Sequence, residues 1–458
     1  MLVSAQFVVM LDTSIVNVAV PSIQHDLGLT HTGVAWVVNA YFLAFGGFLL
    51  LAGRAADVLG RRAMFMVGSA LFTLATAVAG FASDPSVLVA ARALQGVGAA
   101  ALSTAALSIL LVLAPGAARA KAMGAWGAAS TLGGATGVFA GGLTTAWLGW
   151  SWVFFLTIPV SLAALIAAPH LLDQHRATGA RRRFDVPGAV AVTGAVLALI
   201  HAVLSVAEHG WSSVQTLAGL GTSSLLLLVF VRVERASADP LVPLALFRSR
   251  YVSVGVVVGI LGGAARASTF FLVALYLQQV LLMEPAVAGV AMVPTSVAGF
   301  GVSLLVLPRV LGALGPARTL TLGLVVLGAG HLWLARTSAG ADYGVDVLPG
   351  LVLAAIGVAL SFTPSTMVVA SAVPAESAGL AAGLANAASQ IGAALGISAF
   401  SAIAALTAGG GSIGAAGAGG AAAGLHAAFT AAAVVALLAA LLAGRSLAHH
   451  GPRVRAGA

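Results

Sequence analysis

The sequence predicts an all-α membrane protein with fourteen spanning helices, on three observations. Its 458 residues are 60% hydrophobic and only 7% charged, with a mean hydropathy of +1.07, whereas a water-facing surface needs roughly a quarter charged residues. Fourteen stretches approach the length of roughly 20 apolar residues that crosses a bilayer. The basic residues fall almost wholly into alternate loops. The first observation excludes soluble enzymes, nucleic-acid binders and disordered scaffolds, and the basic balance (net charge +8) reads as loops at a membrane face. With 0 cysteines there is no disulfide framework, no cysteine metal site and no thiol chemistry.

The stretches lie at about 2–22, 32–52, 62–82, 86–112, 119–144, 150–171, 186–207, 213–232, 252–281, 286–307, 318–337, 345–372, 379–406 and 425–444. The first lacks a basic flank, is too long for a cleaved leader and carries Asp12, so it reads as a span. Met1 sits almost on that span, which leaves room for a longer native N-terminus. Lys and Arg are retained on the cytoplasmic side. With the N-terminus inside, eighteen of the 21 basic residues fall in cytoplasmic loops or the C-terminal tail, and only Arg336 lies opposite. Arg92 and Arg266 lie inside spans. Both termini are therefore expected in the cytoplasm.

Longer connections near 173–185 and 234–250 bracket two helices. The expected organisation is a six-helix half over 1–172, a linker region with two extra helices over 173–250, a second half over 251–445, and a tail over 446–458. Paired halves of this kind place a transport site near the bilayer midplane. The Gly/Ala/Ser stretch 408–424 reads as an external loop. A single lysine among 21 basic residues and 56 glycines indicate GC-rich coding, which raises the chance rate of small-residue motifs.

Several motifs stand in matching places. The first span holds Leu11-Asp12-Thr13-Ser14-Ile15-Val16-Asn17-Val18-Ala19-Val20-Pro21. The loop after the second reads Gly53-Arg54-Ala55-Ala56-Asp57-Val58-Leu59-Gly60-Arg61-Arg62. The fourth span holds Arg92-Ala93-Leu94-Gln95-Gly96-Val97-Gly98, and the fifth holds Gly133, Gly137, Gly141 and Gly142. Tyr276-Leu277-Gln278 with Ala288-Gly289, and Asn386, Gln390 and Gly392, follow in the second half. Together these resemble the major facilitator superfamily, in particular its fourteen-helix drug:proton antiporter branch, with its GxxxDxxGR(K/R), RxxQGxG and GxxxGPxxGG motifs. The resemblance covers essentially the whole chain. Departures are Val138 in place of the fifth-helix proline, Ser151 and Thr157 in place of an Arg and an Asn, and Ser389 where the branch often has Arg.

Asp12 is the only carboxylate deep within a predicted span, and an ionisable group there is by default functional. It lies nine residues below Pro21 and Arg92 seven below Pro85, depths that differ by about 3 Å at about 1.5 Å rise per residue. Burial disfavours a charged carboxylate and a nearby guanidinium favours it, so changing their separation changes proton affinity. The pair therefore reads as a proton-coupling site or as a static structural pair. Gly53, Asp57, Gly60, Arg61 and Arg62 occupy a tight turn, to which the resemblance assigns gating; the bare alternative is topogenic charge. The helix beginning near Gly379 offers Asp57 a positive end. The four fifth-helix glycines favour close helix approach, and the resemblance puts their face between the halves, with export as the direction. Arg266, near the middle of its span, is read as binding an anionic or carbonyl-rich substrate, as pairing with Asp12, or as bonded to helix carbonyls. Asn17, Gln95, Asn386 and Gln390 are further cavity candidates. His331 reads as a satisfied interhelical histidine, and Trp147, Trp150 and Trp152 as interface anchors.

No nucleophile–base–oxyanion constellation, metal-spaced His/Glu pair or phosphate-binding loop stands out, so neither an enzyme, a metal protein nor an ATP-driven pump is expected. No cofactor is implied. The resemblance implies a monomeric, multi-pass, inner-membrane antiporter that exports a drug, antibiotic or natural product against protons, with small molecule, protons and lipid as partners and no nucleic acid. A proton-driven nutrient importer and a membrane-embedded lipid enzyme are the alternatives.

Overall fold

In a computed structural model, residues 1–29, 31–113, 116–172, 185–237, 240, 242–338, 340–408 and 417–447 are described. Arg176, Arg181–Arg183, residues 409–416 of the 408–424 stretch and most of the 446–458 tail lie outside these residues, and 417–424, expected in a loop, are helical. Among the described residues there is no strand, and twelve helical stretches are long and apolar enough to cross a membrane. Two predicted features account for the difference from fourteen. The predicted span 119–144 lies inside a single 33-residue helix, Gly116–Leu148, that is not among the twelve. The predicted spans 286–307 and 318–337 fall together in one 49-residue stretch, Val287–Ala335. That stretch is broken at Gly315, whose φ of 76° is non-helical and is followed by Pro316.

The chain forms two compact units. The first comprises Met1–His201, Ala218–Leu244 and Val373–Ala387. It contains α1 (Leu2–Asp26), α2 (His31–Leu59), α3 (Arg61–Gly80), α4 (Pro85–Leu113), α5 (Gly116–Leu148), α6 (Ser151–Phe155) and α7 (Ile158–Leu171), the greater part of α8 (Val186–His209), and α9 (Val214–Ala236) from Ala218. Gly60, at φ 102°, makes the one-residue joint between α2 and α3 that a side chain would strain. Asp84 caps α4 by accepting from Ser86 N at 2.8 Å. Within this unit α1 packs on α5, and α4 on both α2 and α3. Trp150 is 6% exposed, edge-on to Phe154 in a core with Ile15, Ala19 and Leu88. It is thus a core residue and not the interface anchor the sequence suggests, whereas Trp147 and Trp152 are exposed.

The second unit comprises Ala202–Leu217, Ala245–Ala372 and Ala388–Ala458. Its helices include α10 (Arg250–Leu275), α11 (Pro285–Ala291), α12 (Val293–Gly301), α13 (Leu307–Ala335) and α14 (Leu348–Ser371). Of the next two, α15 (Ala378–Thr407) starts in the first unit and continues in the second, and α16 (Gly417–Leu447) follows. The helix α13 packs on α14 and α16, and α10 packs on α16 and α14. His331 is fully buried, with Nε2 2.8 Å from Thr269 Oγ1 and its ring against Phe429. Its Nε2 side joins α10 to α13, whereas Nδ1 is buried without a hydrogen-bond partner, so the fully satisfied histidine expected from the sequence is met on one side only.

Candidate functional site

Four helices of the first unit converge on one buried polar cluster. Arg92 and Gln95 sit three residues apart on α4 and so share a face. Arg92 Nη1 donates to Asp12 Oδ2 at 2.8 Å and to Gln95 Oε1 at 2.6 Å. Gln95 Nε2 in turn donates to Asp12 Oδ1 at 2.6 Å and reaches Thr76 Oγ1 on α3 at 2.8 Å. From α2, Val37 O accepts from Arg92 Nε at 3.3 Å, and the Tyr41 ring lies 4.4 Å from Arg92 Cζ. Asp12, Gln95 and Thr76 are fully buried, and Arg92 and Tyr41 are 1% exposed. A charge pair without access to water is held here by good geometry and by the added hydrogen bonds of Gln95 and the Val37 carbonyl. The common depth computed from the sequence is thus a direct ion pair.

Gln95 belongs to this cluster and not to a substrate cavity, because both ends of its amide are used and none of its surface is open. Thr76, Tyr41 and the Val37 carbonyl were not foreseen. The three-residue spacing of Arg92 and Gln95 was the one available signal, and it names no partner on another helix.

The helix carrying Asp12 rests on the α5 glycines. A Cβ on Gly133 would collide with Phe7 O; one on Gly137 would stand 2.7 Å from Leu11 O, and one on Gly141 2.9 Å from Ile15 Cγ1. The resemblance places this face between the halves, but these three glycines instead meet α1 of their own unit. Gly142 is only in ordinary contact, 4.0 Å from Val18 Cγ1.

At the far end of α2, Asp57 caps the start of α15. Gly379 N donates to its Oδ1 at 2.9 Å and Leu380 N to its Oδ2 at 2.8 Å, and Arg61 Nη2 lies 3.4 Å from Oδ1. The carboxylate side chain is 3% exposed. Side chains at Gly53 or Gly379 would each collide with the other's carbonyl oxygen, so the two backbones touch only because both are glycine. Arg62 Nη1 donates to Leu172 O at 3.0 Å. Charge, helix dipole and two orphan amides thus meet at one carboxylate.

In the second unit Arg266 on α10 is 5% exposed, with Nη2 donating to Ser389 Oγ at 3.3 Å and Cζ 5.9 Å from the Phe362 ring. The guanidinium thus stands beside the position where an arginine is expected from the resemblance and Ser389 is found. Of the other cavity candidates, Asn17 is exposed; Asn386 and Gln390 are half-buried one turn apart on α15, and Asn386 Nδ2 has no partner.

Residues 2–397 match the family model described as Major Facilitator Superfamily. The chain is 38% identical over 455 residues to the puromycin resistance protein pur8 of Streptomyces alboniger, covering 96% of this chain and 89% of that protein. It is 36% identical over 397 residues to the cephamycin export protein CmcT of Amycolatopsis lactamdurans, covering 86% and 82%. Among solved structures, the human organic anion transporter MFSD10 (TETRAN) is similar with a TM-score of 0.70 at 15% identity, over 96% of this chain and 97% of that one. The proton:xylose symporter XylE is similar with a TM-score of 0.69 at 15% identity, over 97% and 94%. At such identities the structural likeness is one of fold.

Proposed function

Since this chain belongs to the Major Facilitator Superfamily, we propose that it exports a moderately hydrophobic organic compound (a drug, antibiotic or natural product) in exchange for protons. The direction and substrate class rest on relatives named for puromycin resistance and cephamycin export. The observation that carries proton exchange is the sealed Asp12–Arg92–Gln95 cluster, whose ion pair joins α1 to α4 with both side chains almost wholly buried.

A proton reaching Asp12 neutralises the anion that Arg92 faces. The guanidinium then keeps Gln95 Oε1 and Val37 O as acceptors but loses its counter-charge, so the two protonation states favour different packings of α1, α2 and α4. Asp57 acts as a gate: its two amide bonds hold the start of α15 on α2, and their release opens that face. The supporting topology has fourteen spans in the cytoplasmic (inner) membrane with both termini inside, as two six-helix halves and two additional helices between them. Chain breaks at Gly60 and Gly315 and the basic loops support it. The chain acts as a monomer.

A compound panel in a pump-deficient host, followed by uptake of the hits into everted vesicles with an imposed pH gradient, tests this reading. Resistance together with uptake that a protonophore abolishes is the expected result. Uptake that ignores the gradient, or accumulation in right-side-out vesicles only, overturns it.

A further inference from the structure

Resting on the export reading, we propose that Arg266, Ser389 and Phe362 form a subsite for the anionic head of an amphiphilic organic carboxylate. Arg266 sits near the middle of the 31-residue apolar stretch Arg250–Val280. A guanidinium at that depth is expensive unless its donors and its charge are met. Arg92 shows how this molecule meets them, with a carboxylate, an amide oxygen, a backbone carbonyl and an aromatic face.

Arg266 has far less. Its hydrogen bond to Ser389 is long, its Nη1 has no acceptor, and it forms no ion pair among the described residues. Among the carboxylates of the same unit whose side chains are described, none meets Arg266. Asp342 and Asp346 accept from backbone amides in their own loop, and Glu284 precedes α11.

The groups around the unpaired nitrogen have the chemistry of a carboxylate site. Gly262, one turn before Arg266, lets the guanidinium lie against the helix: a Cβ there would stand 2.7 Å from Nη1. Nη1 and Nη2 present the planar fork that matches two carboxylate oxygens. Ser389 Oγ accepts from Nη2, and Nη1 beside it has no acceptor, so a carboxylate could take the free donor and share the second. Phe362 lies toward the guanidinium and Leu324 lies by Gly262, surfaces that suit an apolar body attached to the head. A fixed positive charge with no counter-ion repels permanent cations.

The test uses the full-length chain in phosphatidylcholine nanodiscs and compares 2-naphthoate, 2-naphthamide and 2-naphthyltrimethylammonium by calorimetry, with empty discs subtracted. The expected wild-type order is the acid at least tenfold tighter than the amide, with the cation weakest. Arg266→Gln should erase the acid's advantage, leave amide affinity within about twofold and keep or raise the thermal midpoint, since an unpaired buried charge is removed. Equal affinity for acid and amide in the wild type, or an acid preference that survives Arg266→Gln, overturns the assignment. If Arg266→Gln does not fold, Ser389→Ala decides: acid binding weakened about threefold with the amide unchanged supports the site, and no change overturns it. Displacement of 2-naphthoate by added phosphatidylglycerol would reassign the subsite to a lipid headgroup. Transport is a separate readout. Acid binding through Arg266 without vesicle transport overturns the export reading and keeps the site, and export without an acid preference does the reverse.

Discussion

Asp12→Asn is the most informative single change, because the structure limits what an asparagine can do there. Asp12 accepts at both oxygens, from Arg92 Nη1 at 2.8 Å and from Gln95 Nε2 at 2.6 Å. The asparagine supplies one acceptor and one donor. Turning its oxygen to Arg92 sets its amide against Gln95 Nε2. Flipping Gln95 relieves that clash and sets Gln95 Nε2 against Arg92 Nη1. No arrangement pairs every donor, and none restores the counter-charge. The expected destabilisation is about 3–5 kcal/mol, the range for removing one member of a buried ion pair. Shape conservation alone suggests an intact variant; the closed network predicts a weakened one. Reversible unfolding in mixed micelles would measure it. The cycle of Asp12→Asn, Arg92→Gln and the double variant should yield a coupling of about 1–3 kcal/mol. In proteoliposomes Asp12→Asn should not concentrate substrate against its gradient. A variant as stable as wild type, or one that still pumps uphill and stops with a protonophore, would refute the assignment of coupling to this pair.

Asp57→Asn keeps one acceptor but loses the charge at the start of α15, a loss of about 0.3–1 kcal/mol at a helix N-terminus; spin-label distances between the end of α2 and the start of α15 should lengthen, and an unchanged distribution would reduce the turn to a topology signal. Gly137→Ala puts a methyl 2.7 Å from Leu11 O, while Gly134→Ala meets nothing closer than 3.6 Å. The first should destabilise by about 1–3 kcal/mol and impair transport, and the second should do neither. Trp150→Ala should destabilise by about 3–5 kcal/mol as a core truncation, against little change for Trp147→Ala, which is 80% exposed; equal effects in thermal unfolding would return both to the membrane interface.

The sequence yields whatever depends on spacing along one helix or on composition. Hydropathy locates the spans, and residue counts from Pro21 and Pro85 bring Asp12 and Arg92 to one depth. The positive end near Gly379 was legible because a helix start and a carboxylate with D-x-x-G-R spacing are both local patterns. Azimuth was not legible. Which way a side chain points around its helix depends on neighbours that lie far away in sequence, so Tyr41, Thr76 and Phe362 carried no signal. For the same reason the sequence alone points Gln95 to a cavity, the α5 glycines to a different interface and Trp150 to the membrane surface. The helix Gly116–Leu148 shows the opposite limit. Rich in Gly, Ala, Ser and Thr, it is long enough to span but not apolar enough to join the twelve stretches, because a helix that packs through small residues contributes little hydropathy.

The helix α2 joins the two ends of the proposed mechanism. Val37 and Tyr41 contact the guanidinium that Asp12 neutralises, and Asp57 on the same continuous helix caps α15. The twenty residues between Val37 and Asp57 correspond to about 30 Å of helix, so a tilt of about 5° pivoting at Val37 moves the Asp57 end by about 2.6 Å. Hydrogen bonds of 2.8 and 2.9 Å cannot follow a displacement of that size. Lying between two sites is not in itself coupling. What sets α2 apart is that each end is held by one charged group, Arg92 at one and Asp57 at the other. On the proposed mechanism, a change in the charge facing Arg92 therefore bears on the same helix that carries Asp57. The close Gly53–Gly379 approach adds a direct backbone contact to that hold.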